Sequence, residues 1–142
     1  MRHVVPLLLF VSLVSGSAPA AVCEGKNHPG ITAIYLVQST KENSAAEQWV
    51  TGFRNRIKES DPYCLVTDKD KSVMVVSVVG MDADVNKSST AISIAIYTAK
   101  ESLFLDHWMY VAGNDNLQSS YEKAVTALEK EMRELKRLRL IR

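Results

Sequence analysis

The chain has 142 residues, of which 46% are hydrophobic and 23% charged, with 17 basic and 16 acidic side chains. This length and composition are typical of one globular domain with a core of modest size. A charge near zero argues against nucleic acid as a partner, because nucleic-acid-binding proteins carry a clear excess of positive charge.

The amino-terminal segment predicts export. A basic start at Arg2 precedes an apolar run over residues 4–14 and a short series of small residues. This order is that of a secretory signal peptide, and the apolar run is too short to span a membrane. We therefore expect a signal peptide of residues 1–20, cleaved after Ala20. Residues 21–142 would form one mature domain, periplasmic or extracellular.

The two cysteines, Cys23 and Cys64, predict one structural disulfide bond in an exported chain. The bridge would close a loop of about forty residues, which the chain-entropy model values at about 4 kcal/mol. No Cys-x-x-Cys spacing is present to favour a redox pair. Lipidation of Cys23 is the alternative, because this residue follows the signal peptide closely. Val22 disfavours it, since lipoprotein processing prefers a small residue at that place.

The first half of the mature chain predicts a strand, a helix and a second strand. Residues 31–37 are apolar on both faces, as in an interior strand. Ser44 and Glu47 have the spacing of a capping box, and Pro62 follows the end of the predicted helix. Residues 63–67 form the next strand, so we expect a βαβ crossover. The apolar stripe of the helix comprises Ala46, Trp49, Val50, Phe53 and Ile57.

Residues 72–113 predict a meander of three strands, over residues 73–79, 91–97 and 103–111. All three are rich in β-branched and aromatic residues. The middle strand alternates isoleucine with small or aromatic residues, so its isoleucines share one face. That aliphatic face comprises Ile92, Ile94 and Ile96.

A tight turn at residues 100–102 predicts the register of the last two strands. It places Ala95 opposite Trp108 and Ile96 opposite His107. His107 then shares the isoleucine face with Leu105, Met109 and Val111, and the opposite face is aromatic. The aromatic face comprises Tyr97, Phe104, Trp108 and Tyr110. Two outcomes stay open: the aromatic face is bare and binds a partner, or a helix bearing Trp49 and Phe53 covers it.

A second long helix ends the chain. Ser119 and Glu122 repeat the capping-box spacing. The predicted buried stripe comprises Tyr121, Ala124, Val125, Leu128, Met132 and Leu135. Residues 136–142 form a basic helical tail with four cations, Lys136, Arg137, Arg139 and Arg142. These cations either complement the helix dipole or bind an anionic membrane surface, with Leu138, Leu140 and Ile141 as apolar contacts.

The pattern as a whole predicts a single α+β domain. We expect a five-stranded, mixed but mostly antiparallel sheet, in the order strand, helix, strand, three-strand meander and helix. Two main helices would pack against this sheet.

This order of elements resembles that of the TolB amino-terminal domain and of FlgO-like periplasmic modules, with LpoB a more distant relative. The likeness covers residues 31–132. It is clearest in the polar turn before residues 90–99, in His107 and Trp108, and in the Gly113-Asn-Asp turn that precedes a helix. The chain lacks the usual glycine within the first meander strand. The resemblance implies a module of the cell envelope that binds other proteins and performs no chemistry.

The search for chemistry predicts neither a catalytic set nor a metal site, and no cofactor. No zinc-protease, nucleophile-elbow or phosphate-loop motif occurs. Asp82, Asp84 and Asn86 alternate like calcium ligands but lack the glycine and glutamate of an EF-hand, so we interpret them as a turn.

The leading hypothesis is a non-enzymatic, exported module that binds envelope proteins through the aromatic face or the basic tail. One alternative is an enzyme or small-ligand binder centred on His107. Another is a protein associated with the membrane surface through its tail. The sequence does not determine the oligomeric state.

Overall fold

The structure, a computed structural model, describes residues 30–40, 44–84, 86 and 88–141. The predicted signal peptide, Cys23 and Arg142 lie outside these residues. The strands are β1 (Thr32–Thr40), β2 (Tyr63–Val66), β3 (Met74–Asp82), β4 (Ser89–Thr98) and β5 (Phe104–Gly113). The helices are α1 (Ser44–Glu59) and α2 (Leu117–Arg137), with a single 3-10 turn at Lys69–Lys71.

The five strands form one sheet in the order β2-β1-β3-β4-β5. β1 pairs in parallel with both β2 and β3, whereas β3, β4 and β5 form an antiparallel meander. The predicted fold class, a single α+β domain with a mixed five-stranded sheet and two helices, is confirmed. The parallel pairing of β1 with β2 across α1 also confirms the βαβ unit.

Both helices pack on the same side of the sheet, which we call the covered face. The covered face carries fully buried side chains from three neighbouring strands: Ile34, Met74, Val76, Val78, Ile92, Ile94 and Ile96. The predicted stripe of α1 meets them, with each member at most 2% exposed. The stripe of α2 is buried as predicted from Ala124 to Leu135, and Tyr121 is half-buried. The core therefore lies between this face and the two helices.

The helices approach each other closely at Gly52. A Cβ atom on Gly52 would lie 2.3 Å from the ring of Tyr121, so only glycine leaves room for that ring. One turn earlier in α1, the indole Nε1 of Trp49 donates a hydrogen bond to Ser120 Oγ at 3.0 Å. Trp49 is fully buried, so this bond satisfies a donor that has no access to water.

The predicted register of β4 and β5 is wrong by one residue. Ile94 lies opposite Trp108, and Ala95 lies opposite His107. The cause is an irregularity next to Tyr97: Tyr97 pairs with Phe104 but Ile96 pairs with Asp106, which leaves an extra residue in β5. Such a bulge reverses which side chains of the following strand face each side of the sheet.

The start of α2 also differs from the prediction. The helix begins at Leu117, with Asn116 as its N-cap, so Ser119 lies inside the first turn and does not cap it. The Asn116 side chain makes no capping hydrogen bond, whereas its carbonyl accepts one from Ser120 N at 3.2 Å. The spacing of Ser119 and Glu122 therefore predicted an N-cap three residues too late.

The basic tail is not a continuing helix. α2 ends at Arg137, and Arg139 takes a left-handed backbone conformation with φ of 60°. The amide of Leu140 donates to the carbonyl of Leu135 at 2.9 Å, which closes the helix in the manner of a Schellman cap. Ile141 then turns back into the core, where it is 6% exposed. Its predicted role as a lipid contact is therefore wrong.

Candidate functional site

The four residues of the predicted aromatic face do not lie together. Trp108 and Tyr110 point towards the helices, because their partners Ile94 and Ile92 belong to the covered face. The ring of Tyr110 lies 6.4 Å from that of Trp49. Burial raises the pKa of Tyr110 above its usual value. The prediction of one aromatic surface is therefore wrong for these two residues, which the helices partly cover.

Tyr97 and Phe104 remain on the opposite side of the sheet, which we call the open face. Their rings meet edge to face, with centroids 5.7 Å apart. This geometry is a favourable one for an aromatic pair. Phe104 is exposed and Tyr97 half-buried. The pair forms one end of the open face.

The centre of the open face is a shallow trough that the sequence analysis did not predict. Its floor on β4 is made of small residues, Ala91 and Ser93. Its walls come from the neighbouring strands: Met81 and Val111 flank Ala91, and Val79 and Met109 flank Ser93. Strands lie about 4.8 Å apart, so the two walls are separated by roughly 10 Å. The trough is therefore wide enough for one inserted side chain.

The trough walls are strongly exposed for apolar residues. Val111 is 68% exposed, Met109 67%, Met81 56% and Val79 36%. Single exposed apolar residues are normal on a protein surface, but a contiguous group across three strands is not. The open face thus holds the main exposed apolar group of the sheet in the part of the chain that the structure describes.

The other end of the open face is buried. Ala33, Cys64 and Val66 form a small cluster there, with Ile31 and Tyr35 packed against it. Cys64 is 5% exposed on the short strand β2. Its predicted partner Cys23 lies outside the described residues, so the disulfide stays a prediction.

His107 faces the trough and not the isoleucines, contrary to the prediction. It is exposed, and its Nε2 lies 2.8 Å from Ser93 Oγ. This hydrogen bond orients the ring along the open face. Among the described residues no group of three His, Cys, Asp or Glu side chains is placed to bind a metal ion.

Asp84 holds the turn between β3 and β4. Its carboxylate accepts hydrogen bonds from Ser88 N at 3.0 Å and Ser88 Oγ at 2.7 Å, and a further one from Ser89 Oγ. The hydrogen bonds from Ser89 and Ser88 lower the pKa of Asp84 well below its usual range. This carboxylate therefore stabilises the turn through its hydrogen bonds.

The basic tail residues are divided among local contacts. Lys136 Nζ donates to the carbonyl of Gly30 at 3.0 Å, and Arg137 forms an ion pair with Glu134. Arg139 adopts the left-handed position of the helix cap. Two of the four tail cations are thus used within the molecule. No helix among the described residues is long and apolar enough to cross a membrane.

A groove of about 280 Å³ lies beside β5, where the strand ends and α2 begins. Its β5 side is formed by Tyr110, Val111, Ala112 and Gly113, and its α2 side by Asn116, Ser119, Ser120 and Lys123. Lys123 is the only charged residue in this lining. The groove therefore opens next to the outer edge of the sheet and is positively charged.

The sequence predicted Met109 and Val111 on the isoleucine face, whereas both lie on the open face. β5 is apolar on both faces, so alternation alone does not show which of its side chains the helices cover. A signal was present on β4. Ala91, Ser93 and Ala95 are too small to form a second core layer, whereas the three isoleucines suit one. The residues of β5 that pair with these small residues of β4 were therefore the better candidates for exposure.

No protein-family model matches the sequence, and no curated relative matches it. Solved structures do share the fold. TolB from Acinetobacter baumannii superposes with a TM-score of 0.59 at 7% identity, over 76% of this chain and 30% of the TolB chain. A Xanthomonas campestris protein of the DUF330 family superposes with a TM-score of 0.60 at 5% identity, over 82% of this chain and 95% of the other.

The LpoB C-terminal domain from Salmonella enterica matches with a TM-score of 0.45 at 8% identity, over 63% of this chain and 88% of that domain. The chain spans less than a third of the TolB chain that it matches. The first two superpositions show that the chain shares its fold with the matched part of TolB and with the DUF330 protein. At these identities the likeness is one of fold.

Proposed function

We propose that this protein is an exported, non-enzymatic module of the cell envelope that binds another protein through the trough on its open face. The observation that carries the proposal is the exposure of Met81, Met109 and Val111 on three neighbouring strands. Transfer of apolar surface out of water is favourable by roughly 25 cal/mol per Å², before the entropic costs of association are subtracted. A partner that covers these side chains would therefore gain binding free energy from a surface that water solvates poorly.

The shape of the trough supports a protein partner in particular. Its small-residue floor and apolar walls accept a protruding apolar or aromatic side chain, which is the usual anchor of a protein interface. His107, which forms a hydrogen bond with Ser93 of the floor, supplies a polar group at the border of the trough, as in the rim of such interfaces. The envelope location is supported by the predicted signal peptide and by the resemblance to periplasmic modules.

Site-specific photo-crosslinking tests the proposal. A benzophenone amino acid is placed at Met109 or at Leu138, which is 52% exposed but lies beyond the end of α2. In the cells that produce the protein, we expect one discrete adduct with a different protein from position 109 and none from position 138. The adduct should disappear in Met81→Glu and persist in Leu140→Glu, a matched change at an exposed apolar residue outside the trough.

Equal adducts from both positions, or an adduct at 109 that survives Met81→Glu, would contradict a specific role for the trough. Absence of any adduct at 109 would contradict it as well. Circular dichroism of both glutamate variants confirms that the fold is retained, which is expected because both side chains are exposed.

A further inference from the structure

The two edges of the sheet differ in how well they are protected. β2 forms one edge with only four residues, directly after Pro62. β5 forms the other edge with ten residues, and residues 107–113 contain neither a formal charge nor a proline. Proteins normally blunt a sheet edge with charges, proline or short strands, because its free N–H and C=O groups pair with any strand that approaches. After its bulge the outer edge of β5 carries no formal charge and no proline. At its start, Asp106 Oδ1 accepts a hydrogen bond from the amide of His107 at 2.7 Å, which an incoming strand would replace.

Charges of opposite sign lie at the two ends of this edge. Lys123 lines the groove beside the end of β5 and forms no ion pair among the described residues. Asp106 lies near the start of β5 on the covered face, and it too has no cationic partner there. On the covered side of the sheet, Lys123 therefore lies beside the end of this edge and Asp106 near its start.

Acidic groups are crowded near Asp106, at the start of this edge. Burial raises the pKa of Glu131 above its usual value, and the nearby carboxylates of Asp106 and Glu134 raise it further. Lys130 acts in the opposite direction, and Arg137 forms an ion pair with Glu134, which leaves Asp106 and Glu131 without an ion pair among the described residues. A cation brought to this end from outside would relieve the repulsion.

We propose that a second copy of this chain adds its β5 antiparallel to the β5 edge, about a two-fold axis near Met109. Symmetric antiparallel pairing centred on Met109 sets Ala112 of one copy opposite Asp106 of the other. Asp106 of each copy then enters the groove of the other copy and pairs with Lys123. The two sheets become one continuous sheet of ten strands.

Self-complementarity favours a second copy over an unrelated strand. One chain carries both charges, and a two-fold axis brings Lys123 of each copy towards Asp106 of the other. The groove is also open on the side where Asp106 of the second copy would arrive, since it is bounded only by β5 and the first turns of α2. The dimer uses the strand edge, so it does not depend on a partner bound in the trough.

Charge reversal tests the dimer through its mass in solution, measured by light scattering during size exclusion at several concentrations. We expect the wild-type protein to reach twice the monomer mass. Lys123→Glu and Asp106→Lys should each weaken the dimer at least about tenfold, because each change places like charges together at both symmetric contacts. Lys100→Glu, the same charge change in the turn before β5, should leave it unchanged.

An equimolar mixture of Lys123→Glu and Asp106→Lys gives the decisive result. In a mixed dimer every acid meets a base, so the mixture should dimerise with about the wild-type affinity although neither variant does alone. Hydrogen exchange should show slowed amides over residues 107–112 in the wild-type dimer and fast ones in Lys123→Glu.

Three results would overturn the inference. These are a wild-type protein that stays monomeric at every concentration tested, a mixture as monomeric as its components, and a dimer whose protection lies on β3 instead of β5. The last result would indicate a dimer formed by two troughs, and would leave the proposed binding surface standing. Conversely, a confirmed edge dimer in which position 109 crosslinks only to a second copy of this chain, and to no different protein, would remove the trough proposal alone.

Discussion

Both faces of the sheet carry apolar side chains, but those on one face are buried and those on the other are exposed. On the covered face the isoleucines of β4 are fully buried beneath α1 and α2. On the open face the small residues of the same strand lie between methionine and valine side chains that are more than half exposed, except for Val79. The hydrophobic effect favours burial of the apolar side chains on both faces. Their exposure differs because the helices pack against the covered face only.

The comparison shows that burial depends on the covering layer more than on the strand's own composition. α1 and α2 each present one apolar stripe, and both stripes meet the same side of the sheet. A face without such a layer keeps its apolar residues in contact with solvent. No helix in the described part of the chain packs on the trough. A partner that binds there would therefore bury the largest amount of exposed apolar surface on the sheet.

Truncating one residue on each face should give the largest difference. Ile94→Ala removes a fully buried side chain and should lower the free energy of unfolding by about 3 kcal/mol. Met109→Ala, on the opposite face, should lower it by less than about 0.5 kcal/mol, because most of its surface is already in water. Urea unfolding of dilute protein measures both. Similar losses would mean that the open face is covered in the folded protein.

Gly52→Ala should have an intermediate effect, since it pushes the two covering helices apart. Alanine would favour α1 by about 1 kcal/mol through helix propensity, but its Cβ would overlap the Tyr121 ring. We expect a net loss of about 1–2 kcal/mol in urea unfolding. Combining it with Tyr121→Ala should remove the clash, so the double variant should lose less than the sum of the single losses. Thr51→Ala, at an exposed neighbouring position, is the control.

Arg139→Gly should have a small effect of the opposite sign. Arg139 holds a left-handed conformation that is unfavourable for a residue with a Cβ atom, and glycine adopts it freely. We expect a gain of about 0.5–1 kcal/mol, since the greater chain entropy of glycine in the unfolded state offsets part of the benefit. A thermal unfolding scan measures this gain as a rise in melting temperature. A loss of stability would show that the arginine side chain contributes more than its backbone costs.

The fold followed from the sequence because its strongest patterns have a single interpretation. The α1 stripe at helical spacing has one apolar side, and the isoleucines of β4 alternate with small residues. Each pattern therefore fixes which side is buried. The order of parallel and antiparallel strands then follows from the helix between the first two strands and the short turns of the meander.

The candidate site did not follow from the sequence, because it depends on a bulge and on a strand with two apolar faces. Nothing in the letters around Leu105 and Asp106 distinguishes a regular hairpin from one with an extra residue. Because the predicted register was wrong by one residue, Trp108 and Tyr110 were predicted on the open face and His107 on the covered face. The end of α2 was similarly hidden, since Arg139 occupies a position where glycine is the usual signal.

The bulge at the start of β5 also fixes the chemistry of the molecular surface. Removing a single residue there would rotate the rest of the strand by half a turn within an unchanged architecture. Methionine and valine would then enter the core, and tryptophan and tyrosine would line the trough. The same backbone could thus present either a soft aliphatic surface or a hydrogen-bonding aromatic one, depending on a one-residue difference in length.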